Sequence, residues 1–113
     1  LIDLKTAWKI VKHIKSNGIV LVKDNSLIGM GAGQPNRLNS IQLALNTAGE
    51  KSHGSVLASD AFFPYRDNVD LALSGRINCI IQPGGSIRDK EVIHAAEEAQ
   101  ISMVFTGNRH FKH

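Results

Sequence analysis

Cys79 is the only cysteine in the 113 residues, so no internal disulfide can staple the fold and a packed core must hold it. It lies in the apolar run Ile77-Asn-Cys-Ile-Ile81, which predicts a small buried core residue in a reducing, cytoplasmic compartment. No stretch approaches the roughly 18 consecutive apolar residues of a membrane-spanning helix, and no signal-peptide pattern opens the chain. An arginine-rich block is missing too. The net charge of +3 and pI of 9.3 come from scattered Lys and Arg, so neither a nucleic-acid nor a membrane partner is expected. Lys5, Lys9, Lys12 and Lys15 gather on the first predicted helix, where a solvated face is the simplest reading. There is no repeat, low-complexity tract or linker, and a hydrophobic content of 42% with 20% charged residues fits one globular domain spanning 1–113. The opening Leu1-Ile-Asp-Leu has no initiator methionine, and the expectation is a piece of a larger protein.

Hydrophobic periodicity supplies the elements. Leu4, Ala7, Trp8, Val11 and Ile14 recur at helical spacing and predict a helix over about 3–16, with Asp3 as N-cap and Asn17-Gly18 as its stop. Residues 19–23 and 27–31 read as a hairpin around Asp24-Asn25-Ser26. A helix over about 36–48 follows, then a loop over 50–54 and a short apolar strand over 55–59. A helix over 67–74 ends at Gly75. The continuous apolar run 77–82 reads as a strand buried on both faces. A helix over 88–99 and a strand over 101–105 complete the order α-β-β-α-β-α-β-α-β. This predicts an α/β fold of three αβα layers, with a mixed, mainly parallel sheet of about five strands and the first strand antiparallel.

In such sheets ligands bind beyond the carboxyl ends of the strands. The segments starting at Gly31, Ser59, Pro83 and Thr106 all leave that edge, and Asn17 precedes the antiparallel strand beside them. The loop Ser59-Asp-Ala-Phe-Phe-Pro-Tyr-Arg-Asp67 combines rings, a guanidinium and two carboxylates, which suits a planar ligand with polar edges. One of Phe62 and Phe63 is expected in the core and the other at the pocket. Gly29, Gly31 and Gly33 permit positive φ and close approach of backbone to ligand, ahead of a helix whose amino end attracts anions. A tight turn with a surface Arg37 remains the alternative. The spacing lacks the Gly-Lys-Ser/Thr of a P-loop. Ser86 and Asp89 read as a capping box as readily as a ligand contact, and Asp67 as a cap of the helix that it opens. Met30 and Met103 are expected in the core, and the tail after Thr106 is expected to dock.

Together these motifs resemble the carboxyl-terminal end of the aminoimidazole carboxamide ribonucleotide (AICAR) transformylase domain of the bifunctional purine biosynthesis protein, which also carries IMP cyclohydrolase. The matching segments are Val11-Lys-His-Ile-Lys-Ser-Asn17, Ile28-Gly-Met-Gly-Ala-Gly-Gln34, Ala58-Ser-Asp-Ala-Phe-Phe-Pro-Tyr-Arg-Asp67, Ile81-Gln-Pro-Gly-Gly-Ser-Ile-Arg-Asp89 and Met103-Val-Phe-Thr-Gly-Asn-Arg-His-Phe-Lys-His113. The resemblance implies a cytidine-deaminase-like fold and formyl transfer from 10-formyltetrahydrofolate, as cosubstrate, to the 5-amino group of AICAR. It also implies a cytoplasmic homodimer with sites near the subunit interface.

Carried over residue by residue, Asn17 looks like the asparagine near the transferred formyl group, a catalytic and nucleotide contact. Arg37, Phe62 and Arg109 look like nucleotide contacts, and Leu38, Asp67, Ser86 and Ile87 like folate contacts, with Pro64 and Tyr65 as walls. No metal is expected: His-x-Glu with Pro-Cys-x-x-Cys is missing, which argues against zinc-dependent deamination. The family's catalytic Lys-His pair lies upstream of the matched segments. Lys12-His13 belongs to a different motif and receives no catalytic role. Tyr65 replaces a phenylalanine, and Pro35-Asn36 replaces Met-Ser before Arg37. The expectation is a last transformylase subdomain that supplies part of an active site, lacks the upstream subdomain and cyclohydrolase domain, and is inactive alone. The competing reading is a non-catalytic nucleotide-binding or regulatory α/β module.

Overall fold

The apolar runs fold as their periods dictate. A computed structural model describes residues 2–63 and 66–107. The elements are α1 (Ile2–Val11), β1 (Ile19–Lys23), β2 (Ser26–Gly31), α2 (Arg37–Ala48), β3 (Val56–Ser59), α3 (Asp67–Ser74), β4 (Cys79–Gln82), α4 (Asp89–Ala99) and β5 (Ser102–Phe105), with a 3-10 turn at Gly49–Ser52. Strand order is β2-β1-β3-β4-β5. β1 runs antiparallel to both neighbours, while β3, β4 and β5 are parallel.

Every parallel crossover steps the same way across this sheet, so the right-handed rule places α2, α3 and α4 on one face. The pleat alternates to match. Ile19, Leu21, Leu57 and Ile80 join Ile41, Leu45, Val69 and Val92 in the larger core. Val20, Val22, Ala58 and Ile81 face α1 with Ala7 and Val11. Because α1 packs on β1 and β3, the outer end of the sheet keeps Val104 partly exposed.

The ladders align the strand ends. Ile19 pairs with both Gly31 and Ser59, and Gln82 pairs with Phe105. The start of β1 therefore lies among the carboxyl ends of the other strands, as the topology predicted.

Several local expectations differ, and Met30, expected in the core, is exposed on the edge strand β2. Helix α1 ends at Val11 and gives way to turns, with His13 N–H donating to Ile10 O at 3.0 Å; Ser16 and Asn17 then bond across to other loops instead of continuing a helix. Asp3 does not cap α1. Its carboxylate accepts the N–H groups of Asp24 and Asn25 at 3.1 and 2.6 Å, tying the helix to the hairpin. That hairpin turns on two residues, Asp24 and Asn25, at φ of 52° and 60°, the backbone that matches strand twist, so Ser26 already belongs to β2.

Finally, Gly29 and Gly31 lie inside β2, under α2. A Cβ at Gly31 would sit 2.0 Å from Ser40 O, and one at Gly29 would sit 2.3 Å from Ala44 O. These glycines admit a helix backbone, and only Gly33 of the three has positive φ, at 66°.

Candidate functional site

At the carboxyl edge, Asn36 accepts the Asn39 N–H at 2.9 Å and starts α2. This places Arg37 in the first helical turn, pointing inward over the ends of β1 and β3. The residue is only 7% exposed. Nη1 donates to Asp60 Oδ1 at 2.6 Å and to Ser59 Oγ at 3.1 Å. Nη2 donates to Asn17 Oδ1 at 2.7 Å. Asn17 Nδ2 in turn donates to Gln34 O at 2.9 Å, and Ser40 Oγ donates to Asn17 O. Asp60 is fully buried, and its second oxygen accepts from Ser16 Oγ at 2.6 Å.

The result is a polar network in which the guanidinium and carboxylate neutralise each other, and both terminal guanidinium nitrogens and both carboxylate oxygens have a short partner. Burying such a pair is tolerable only with this degree of satisfaction. Removing either partner would leave an uncompensated buried charge, at a cost of about 3–5 kcal/mol. Arg37 is therefore an internal strut, and the surface-arginine alternative fails. Asn17 sits at the solvent side of the network, half-buried. It uses one amide hydrogen on Gln34 O, and its second has no partner among the described residues.

The aromatic pair divides as expected in burial. Phe63 is fully buried, with its N–H donating to Gln82 Oε1 at 3.0 Å, whereas Phe62 is half-buried. Leu38, next to Arg37, is also half-buried, and Asp67 is exposed at the start of α3 with Oδ1 accepting from Asn68 Nδ2 at 3.2 Å. Pro64, Tyr65 and Arg109, with the expected tail docking, lie outside the described residues. The loop after β4 is built around Asp89, whose carboxylate accepts from Gly85 N–H at 2.8 Å and Ser86 N–H at 3.1 Å. Ser86 Oγ takes the Arg88 N–H at 3.0 Å and not that of Asp89, so half of the expected capping box forms. With the loop pinned, Ile87 is 100% exposed. An open groove of about 490 Å³ runs between Pro83, Gly84, Asp89, Ile93, Phe105 and Thr106.

Asn17 and Arg37 are thus in direct contact, next to the strand end that leads into Phe62. Ser86, Ile87 and Asp67 stand on the β4–α4 loop and the start of α3, further along the same edge. Sequence reasoning missed Asp60, Ser16 and Gln34 as site-building residues. An aspartate directly after a short, mainly apolar strand was the available signal, because such a carboxylate leaves water only with a cation in hand. Cys79 is half-buried, and burial pushes its thiol up. Among the described residues no group of three or more His, Cys, Asp or Glu side chains stands ready to hold a metal, and no helix is long and apolar enough to cross a membrane.

Comparison with known proteins adds sequence and fold relatives. A family model described as the AICARFT/IMPCHase bienzyme matches residues 1–47. The bifunctional purine biosynthesis protein purH of Dictyostelium discoideum is 60% identical over 111 residues, which make up 98% of this chain and 20% of that protein. PurH of Bacillus cytotoxicus is 62% identical over 111 residues, 98% of this chain and 22% of its own length. The chain spans about a fifth of the length of the curated relatives it matches.

Among solved structures, RibD of Acinetobacter baumannii superposes with a TM-score of 0.63 at 21% identity, covering 91% of this chain and 32% of that one. The apo dCMP deaminase of cyanophage S-TIM5 also gives 0.63, at 16% identity, covering 91% and 93%. At these identities the likeness concerns the fold alone. The architecture is cytidine-deaminase-like.

Proposed function

We propose that the chain is the carboxyl-terminal subdomain of the transformylase region of a PurH-type bifunctional protein acting in purine biosynthesis. In this reading it forms one wall of the site where 10-formyltetrahydrofolate passes its formyl group to the 5-amino group of AICAR. The whole protein is cytoplasmic and homodimeric and also carries IMP cyclohydrolase. The observation that carries the reading is the Asn17–Arg37–Asp60 network at the carboxyl edge, supported by 60% identity over 98% of the chain to a PurH protein.

The chemistry needs such a wall. The acceptor amine is conjugated to an imidazole and is a weak nucleophile, so positioning and proton removal dominate the barrier. The amine nitrogen bonds to the formyl carbon and gives a tetrahedral oxyanion. The bond from that carbon to N10 of the folate then breaks, N10 gains a proton, and the amine loses one to the Lys-His pair of the upstream segment. The second Asn17 amide hydrogen is the donor for the developing oxyanion, held in place beforehand, which is what makes such donors effective. Phe62 and Arg109 contact the nucleotide. Leu38, Asp67, Ser86 and the protruding Ile87 contact the folate. Arg37 meets the nucleotide side of the cleft while already charge-paired to Asp60, so it orients Asn17 more than it supplies free positive charge.

The test is formyl transfer by the full-length protein, which should require both AICAR and 10-formyltetrahydrofolate. Asn17→Ala should lower kcat by about 100-fold, in line with loss of one oxyanion donor. Asp67→Ala should raise KM for the folate and leave KM for the nucleotide alone. Near-normal kinetics in both variants would remove the assignment.

A further inference from the structure

Resting on the formyl-transfer reading, we infer that Asp60 is a positioning residue that acts on the reaction through Asn17. Asp60 is fully buried, so it touches neither substrate. Both of its carboxylate oxygens nonetheless lead to Asn17. Through Oδ1 it holds Arg37 Nη1 at 2.6 Å, and the other guanidinium nitrogen holds Asn17 Oδ1 at 2.7 Å. Through Oδ2 it accepts from Ser16 Oγ at 2.6 Å, and Ser16 is the residue before Asn17. One carboxylate therefore pins the asparagine by its side chain and by its backbone.

The Asp60 backbone joins in, since its N–H donates to Gly18 O at 3.2 Å, on the other side of Asn17. Space is tight as well: a Cβ at Gly18 would come within 3.2 Å of Asp60 Oδ2. The segment over 16–18 is wrapped around this one side chain. An amide anchored once at its oxygen by Arg37 and once at its nitrogen by Gln34 O keeps a single orientation, and its second N–H then points one way without reorganisation during the reaction.

Charge is the element that a neutral isostere removes. Asp60→Asn keeps the shape and an oxygen for Arg37 but leaves the guanidinium unbalanced and free to turn. In the full-length enzyme this variant should lower kcat by about tenfold or more with nucleotide KM changed by less than about threefold. In an Asn17→Ala background the same substitution should change kcat by less than about twofold, since residues acting as one unit are non-additive. A purely structural role would instead cost the same factor in both backgrounds, and that result, or a normal kcat in Asp60→Asn, overturns the inference.

Ser16→Ala removes one hold and keeps the ion pair. It should give a smaller kcat loss that again vanishes beside Asn17→Ala, and it decides the matter if Asp60→Asn does not fold. A second readout is independent of turnover. With 15N-asparagine labelling of the full-length protein, the Asn17 side-chain amide signal, identified by its loss in Asn17→Ala, should shift in Asp60→Asn and Ser16→Ala. An unmoved signal overturns the positioning role, whereas absence of formyl transfer by the wild type would overturn only the activity on which it rests.

Discussion

Replacing Gly31 by alanine separates a packing glycine from a ligand-approach glycine. An added Cβ would lie 2.0 Å from Ser40 O, 2.6 Å from its carbonyl carbon and 2.7 Å from its Cα. All three atoms are helix backbone, so no side chain can swing aside and α2 itself must lift from β2. Overpacking of a well-filled core costs typically about 1–3 kcal/mol, and a rigid neighbour puts this site at the upper end, at about 3 kcal/mol. Against total stabilities of about 5–15 kcal/mol this is a large fraction, and for a domain of this size it lowers Tm by about 12 °C. Thermal and urea unfolding followed by circular dichroism would read it. A Tm within about 2 °C of the parent would refute the packing argument and return Gly31 to a ligand-facing role.

Two further outcomes follow from burial. Phe63→Ala should cost about 3–5 kcal/mol in urea unfolding, because the ring is fully enclosed, while Phe62→Ala costs clearly less; equal losses would contradict the division. Cys79 should react with a disulfide reagent more slowly than free cysteine near neutrality, with its rate profile displaced to higher pH, because burial pushes the thiol up. The raised folded value makes the stability contributed by the neutral thiol fully present below the free-thiol range and lost as pH climbs through the folded one.

Periodic features were legible before any coordinates. The strand over 19–23, the strand expected over 77–82 (formed as Cys79–Gln82) and helices α2, α3 and α4 follow from apolar spacing, and the right-handed crossover then forces the loops after β2, β3, β4 and β5 onto one edge. Glycine was not legible in the same way. Gly29 and Gly31 look identical whether a ligand or a helix comes close, and only the position of Ala44 O and Ser40 O decides. Arg37 and Asp60 lie far apart in sequence, so nothing local announced that they would close a buried pair. The end of α1 was obscured because Ile14 keeps helical spacing and packs with the α1 cluster even though the chain there has already unwound.

The most direct test of the account is the turnover number of full-length Asn17→Ala with saturating AICAR and 10-formyltetrahydrofolate. The account predicts a fall of about 100-fold with the protein still folded, because in the proposed reaction the oxyanion donor is the Asn17 amide hydrogen that has no partner among the described residues, beside the Arg37–Asp60 pair. A turnover number equal to that of the parent would contradict it.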